Sequence, residues 1–165
     1  MNRKTQVIVG AAAASAIVGL AFATPIVNLA SPVLSIGTQK SLIDTRGEFQ
    51  TSEGQWFKVK LQTDGPSTIE TQEAAYSTGG VNGWHSHPGI VAVTLIAGTI
   101  EWFNEKCEPT IYKAGDAWME GSQAHYFRIV GTVNVQLTAV YVIAKGEKPR
   151  IDQPAPACAA ALGLD

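Results

Sequence analysis

Gly79-Gly80-Val81-Asn82-Gly83-Trp84-His85-Ser86-His87-Pro88-Gly89-Ile90-Val91-Ala92-Val93-Thr94-Leu95-Ile96-Ala97-Gly98 is the stretch that decides the fold. Gly79-Gly80 ends one apolar segment. His85 and His87 stand two apart, so on a strand both rings face the same side. Ile90 to Ile96 is almost wholly apolar and β-branched, which predicts a buried central strand. Ala97-Gly98 then makes a tight turn into Thr99-Ile100-Glu101-Trp102-Phe103.

The same texture extends to either side. Phe57-Lys58-Val59-Lys60-Leu61 alternates with period two, and Asp64-Gly65-Pro66 is a turn signal. Thr68 to Tyr76 predicts a second strand, broken at Gly79-Gly80. Beyond Gly98, Thr110-Ile111-Tyr112 precedes the turn Ala114-Gly115-Asp116, and Tyr126–Val130 and Val133–Ile143 complete the strands. Short strands with glycine-containing turns and no helical period predict an all-β fold, a sandwich or jelly roll. Residues 24–54 read as an extended N-terminal arm with one edge strand, 55–145 as the barrel, and 146–165 as a polar, Pro-rich tail ending in one loose helical turn at Ala159–Leu162.

Histidine use points to chemistry. The chain has three histidines, and all lie where a small barrel brings imidazoles together: His85, His87 and His125, which starts a later strand. Neutral imidazole is the commonest protein ligand for first-row metals, so one mononuclear site on His85, His87 and His125 is expected. The ion is a divalent transition metal, with Fe, Mn, Ni, Cu and Zn not distinguished. Three imidazoles leave positions open for water, substrate or oxygen, as catalytic sites do.

The residues then resemble a known family. Gly79, His85, His87 and Gly98 match the first cupin motif, G-x5-H-x-H-x3-E-x6-G, except that Val91 stands where the family has its Glu ligand. Gly115 and His125 resemble the second motif more loosely. Gly121 stands at its Pro position, Gln123 replaces its Gly, His125 comes one residue early, and Ile129 replaces its Asn. The resemblance implies a cupin-type double-stranded β-helix, a metal at the barrel mouth and a homodimer. It leaves the reaction open, since one fold hosts many functions. Without the Glu, a divalent metal on three neutral imidazoles keeps its full charge, which favours an anionic chelating ligand. The site then resembles those of three-histidine dioxygenases. Glu120, Glu101 and Glu73 are the acids that could stand in.

The expected function is a dioxygenase-type oxidoreductase acting on a small anionic chelate. The alternative is a non-catalytic metal- or small-ligand-binding module of the cell envelope. Pocket positions are expected at Phe127, Gln123 and Val91. Trp84, Trp102, Trp118 and Tyr76 read first as core. Arg128 has the opposite strand parity to His125 and reads as outer face.

The N-terminus reads as a targeting segment. Asn2-Arg3-Lys4 precedes an apolar run from Val7 to Ala23, and Ala21-Phe22-Ala23 is an A-x-A cleavage signature. A signal peptide over residues 1–23 predicts a secreted or periplasmic protein. A membrane is a partner only if this segment stays uncleaved. Cleavage removes Arg3 and Lys4 and leaves ten basic against 14 acidic residues, net −4. With no basic run, nucleic acid is not an expected partner. In an oxidising compartment Cys107 and Cys158 read as one disulfide closing a loop of about 50 residues, worth about 4 kcal/mol by loop entropy. Two buried free thiols or two metal ligands are the alternatives; neither cysteine lies near a histidine in sequence or in a C-x-x-C spacing.

Overall fold

The computed structural model describes residues 27–165, so the signal-peptide segment and its cleavage site lie outside the described residues. The strands are β1 (Val27–Ala30), β2 (Val33–Gln39), β3 (Asp44–Gln50), β4 (Trp56–Gln62), β5 (Ser67–Val81), β6 (His85–Ser86) and β7 (Gly89–Ala97). They continue as β8 (Thr99–Phe103), β9 (Pro109–Lys113), β10 (Ala117–Glu120), β11 (Tyr126–Ile129), β12 (Val135–Ala144) and β13 (Ile151–Asp152), with a 3-10 turn at Ala160–Leu162. The main sheet runs β10-β7-β12-β5-β11-β8-β9, with β1 and β2 also paired to β5, and it curls into a nearly closed antiparallel barrel. Among the described residues it is all-β, apart from the 3-10 turn.

Alternation places the core. Along β7, Val91, Val93 and Leu95 are buried while Ile90 and Ile96 are exposed. The apolar run is therefore central but buried on one face only. The sheet curls around a single interior, and its outer face meets water, as antiparallel sheets allow. Val91, Val93 and Leu95 join Ile100, Phe127, Ile129, Val135, Leu137 and Ala139 in the interior. Gly98 makes the β7–β8 turn at φ 85°, where a Cβ would lie 2.7 Å from Val135 Cγ2, so both backbone and space require glycine.

Three local readings change. Gly79-Gly80 does not end β5, which continues to Val81, because β1 and β11 both pair with it there. Residues 27–54, read as part of an arm with one edge strand, hold three strands: β1 and β2 line up on β5, and β3 pairs with β4. The alternation of Phe57 to Leu61 is real, but Phe57 and Val59 are exposed, because the β3–β4 hairpin pairs only with itself among the described residues.

The tail docks. Cys107 and Cys158 are bridged, with Cα atoms 6.1 Å apart. Ala159 and Leu164 are fully buried against Trp84, Phe103 and Tyr126 in a second core on the far side of β11. Trp84 Nε1 donates to the Leu164 carbonyl at 2.8 Å. β13 pairs with β6, setting Ile151 opposite Ser86 and Asp152 opposite His85. The last twenty residues are thus a strap across the strand that carries His85, one residue short of His87.

Candidate metal centre

His85 lies on β6, His87 one residue beyond it, and His125 just before β11. His85 and His125 exchange both backbone hydrogen bonds, at 3.0 and 2.8 Å, and His87 N–H donates to the Gly121 carbonyl at 2.9 Å. This stitching brings the loop before β11 alongside β6, so three rings from two segments meet. Their centroids lie 4.3–5.0 Å apart. All three residues are at most 5% exposed.

A fourth group completes the cluster. The ligand atoms of His85, His87, Glu120 and His125 all lie within 4.8 Å of one another and could hold a metal ion. The three expected histidines come together, and Glu120, one of the acids that could stand in for the missing Glu, joins them. Glu120 ends β10, and in the β10–β7 register it stands directly opposite Val91. The carboxylate missing from the first motif is supplied across the strand pair. Of the other stand-in acids, Glu101 pairs with Arg128 at 2.7 Å, and Glu73 accepts from Gln136 Nε2. The available signal was parity, since Glu120 shares a strand face with Trp118, but the register was not legible.

Hydrogen bonds settle the protonation of the rings. Each Nδ1 sits on a backbone carbonyl: His85 on Gly83 at 2.8 Å, His87 on Pro149 at 2.5 Å, His125 on Gln123 at 2.9 Å. A carbonyl only accepts, so each Nδ1 carries its proton, and in a neutral ring Nε2 is a bare lone pair. Glu120 Oε1 is occupied by two indole donors, Trp102 Nε1 at 3.1 Å and Trp118 Nε1 at 2.8 Å. Oε2 then faces His87 Nε2 at 3.2 Å and His125 Nε2 at 3.4 Å.

With neutral rings these contacts set lone pairs against an anionic oxygen, and with Nε2 protonated His87 donates to Glu120 Oε2, while His125 Nε2 is buried with no hydrogen-bond partner. A cation between them removes the conflict. Bonds of about 2.1 Å at angles between 90° and 109° put adjacent ligand atoms about 3.0–3.4 Å apart, and the separations of Glu120 Oε2 from His87 and His125 fall in that window. Burial pushes the Glu120 carboxyl pKa up, but hydrogen bonds donated by His125 and His87 when their Nε2 atoms carry protons outweigh this and hold it well below the usual carboxylate range; a bound cation would take over that part. Burial, then the neighbouring His125, pushes the His85 pKa well below its ordinary value. An ionised carboxylate beside a neutral imidazole is the form that ligates. A divalent ion here leaves the cluster at +1, not the +2 of three imidazoles alone.

A cavity of about 40 Å³ adjoins His85, His87 and Glu120, walled by Tyr76, Phe127 and Tyr141 among others. Phe127 therefore lines it, with its ring edge-on to Tyr76 at 5.0 Å. Val91 does not: it is fully buried in the barrel core. Gln123 is exposed and serves through its backbone carbonyl, not its side chain. Trp102 is partly buried and stacks on the His125 ring, centroids 5.9 Å apart.

No family model matches the chain, and no curated protein is similar to it in sequence. Solved structures are similar in fold. A cupin-like protein from Thermotoga maritima is 16% identical, with TM-score 0.47 over 53% of this chain and 65% of its own. A protein with a double-stranded β-helix domain from Klebsiella pneumoniae is 21% identical, with TM-score 0.46 over 52% of this chain and 76% of its own. A cupin superfamily protein from Desulfitobacterium hafniense is 9% identical, with TM-score 0.42 over 67% of this chain and 79% of its own. The chain thus spans just under two thirds of the first of these. The chain resembles the cupins in its fold, a double-stranded β-helix barrel.

Proposed function

We propose that this protein binds one divalent first-row metal ion through His85, His87, Glu120 and His125, and acts on a small anionic chelating ligand as an exported, dioxygenase-type oxidoreductase. The observation that carries the reading is the cluster itself: three Nδ1-protonated imidazoles and an indole-clamped carboxylate aim lone pairs at one point. A redox-active ion held there would supply Lewis acidity and a one-electron couple for oxidation by dioxygen. The chain's own residues limit what can reach it. The cavity is small, about 40 Å³, which favours short thiols, hydroxy acids or diketones over polycyclic substrates such as flavonols. Its phenols, Tyr76 and Tyr141, are raised in pKa chiefly by burial, so they stay neutral donors. Export is supported by the disulfide together with the basic, apolar, A-x-A leader.

The test is anaerobic titration of metal-free protein with iron(II), manganese(II) and zinc(II), then oxygen consumption with those three substrate classes. One metal per chain and uptake with one class is the expected result. Tight metal binding with no uptake would favour the second reading, a ligand-binding module of the cell envelope, which the smallness of the cavity also suits. Metal analysis of protein taken from its own compartment identifies the ion, because affinity order governs loading elsewhere.

A further inference from the structure

The two oxygens of Glu120 are used unevenly. A buried indole N–H needs one acceptor, and a carboxylate offers two oxygens. Here both indole donors converge on the same oxygen: Trp102 Nε1 lies 3.1 Å and Trp118 Nε1 2.8 Å from Oε1. They come from different strands, Trp102 from β8 and Trp118 from β10. Each ring is itself held. Trp118 is buried and stacks on Tyr112, with centroids 4.5 Å apart and planes 17° from parallel. Trp102 stacks on His125 at 18°. Oε2 receives neither indole and faces His87 and His125. For Oε1 to turn toward the rings as well, both N–H groups must give up their acceptor. The Glu120 side chain is only 7% exposed, so little water is at hand to replace it, and unpaired donors there are costly.

We infer that Trp102 and Trp118 are positioning residues that restrict Glu120 to one donor oxygen, so that a ligand with two donor atoms completes the metal site. The chain then offers the ion four atoms, one from each of His85, His87, Glu120 and His125. An ion that takes six donors, as manganese(II) does in octahedral sites, keeps two places for ligand. With both carboxylate oxygens on the ion it would keep one. The indole pair therefore selects a chelate over a single-donor ligand by holding the second place open. Trp118 and Glu120 both line the cavity where such a ligand lies. This role of the indoles rests on the metal reading above and narrows its ligand class, and the experiment separates the two.

The probe is the protein loaded with cobalt(II), titrated with azide and with acetohydroxamate and read by cobalt absorption. Both bind as monoanions; azide gives one donor atom and acetohydroxamate two. The wild type should hold acetohydroxamate about 100-fold more tightly than azide, the gain expected when a second contact becomes intramolecular. Freeing Oε1 in the Trp102→Phe/Trp118→Phe double variant should cut that ratio by about tenfold or more, chiefly by weakening acetohydroxamate. Either single variant keeps one indole on Oε1 and should keep more of the ratio than the double. General loosening of the site weakens both ligands together, so the ratio separates positioning from packing. A second measurement needs no folded double variant. In the cobalt-loaded wild type, the infrared stretches of the Glu120 carboxylate, identified by their loss in Glu120→Gln, should be widely split, the mark of ligation through one oxygen. If the wild type does not prefer acetohydroxamate, or the double variant keeps the ratio, or the wild-type stretches are narrowly split, the indoles do not restrict Glu120 and the metal reading stands. If the wild type takes up no cobalt, the metal reading falls and the role of the indoles falls with it.

Discussion

Replacing Glu120 by Gln should have opposite effects on the metal-free and the metal-bound protein. The substitution keeps size and shape. The two indole donors of Trp102 and Trp118 need an acceptor, so the Gln carbonyl takes the Oε1 place and its amide NH₂ turns toward His87 and His125. Those rings present bare Nε2 atoms 3.2 and 3.4 Å from the Oε2 position. Without metal, at a pH high enough to keep both rings neutral, a contact between lone pairs and an anion becomes two hydrogen bonds, each worth about 1 kcal/mol net. The metal-free variant should melt about 5 °C above the metal-free wild type. With metal the sign reverses. Removing one partner of a buried charge pair costs about 3–5 kcal/mol, so the metal Kd should rise by about two to three orders of magnitude. A metal at a thousand times its Kd stabilises the native state by about 4 kcal/mol, and the variant should lose most of that thermal shift. Competitive chelator titration gives Kd, and melting curves with and without metal give the two shifts. A Kd within threefold of wild type, or a metal-free variant that melts lower, would refute the ligand role and the assigned ring protonation.

The Val91–Glu120 register makes the carboxylate movable: Glu120→Val should abolish tight metal binding, and adding Val91→Glu should restore it to within about tenfold, read by the same chelator competition. The Cys107→Ser/Cys158→Ser double variant opens a 51-residue separation; the loop term of about 4 kcal/mol predicts a melting point lower by about 10 °C, and an unchanged melt would show that the bridge does not constrain the unfolded chain. Trp84→Phe removes the hydrogen bond to Leu164 and leaves that buried carbonyl unpaired; it should cost about 1–3 kcal/mol in chemical denaturation, and no change would mean the tail docks without it. Gly89→Ala puts a Cβ into the Val142 carbonyl and 2.8 Å from Ile143 Cα, both backbone, so it should cost more than about 3 kcal/mol or prevent folding; a wild-type melt would overturn the β7–β12 packing.

What the amino-acid sequence determined by itself was local. Strand parity placed His85 and His87 on one side of the chain, because the period of a strand is two whatever it packs against. The two cysteines had only each other as partners. The run from Ile90 to Ile96 marked a strand because β-branched residues suit extended backbone. Tertiary structure decided everything that depends on register. Glu120 joins the three histidines because β10 lies beside β7 with residue 120 opposite 91, and no short-range rule sets that pairing. β5 ran through Gly79-Gly80 because β1 and β11 offered partners that outweigh the weak strand preference of glycine. The apolar face of β4 was left exposed because its hairpin pairs only with itself among the described residues. The tail read as polar and Pro-rich, yet Leu164 is fully buried and Asp152 lies opposite His85, because a disulfide and a two-residue strand hold the strap in place. Residues far apart in sequence meet only when the barrel forms. The chemistry of this site comes from that meeting.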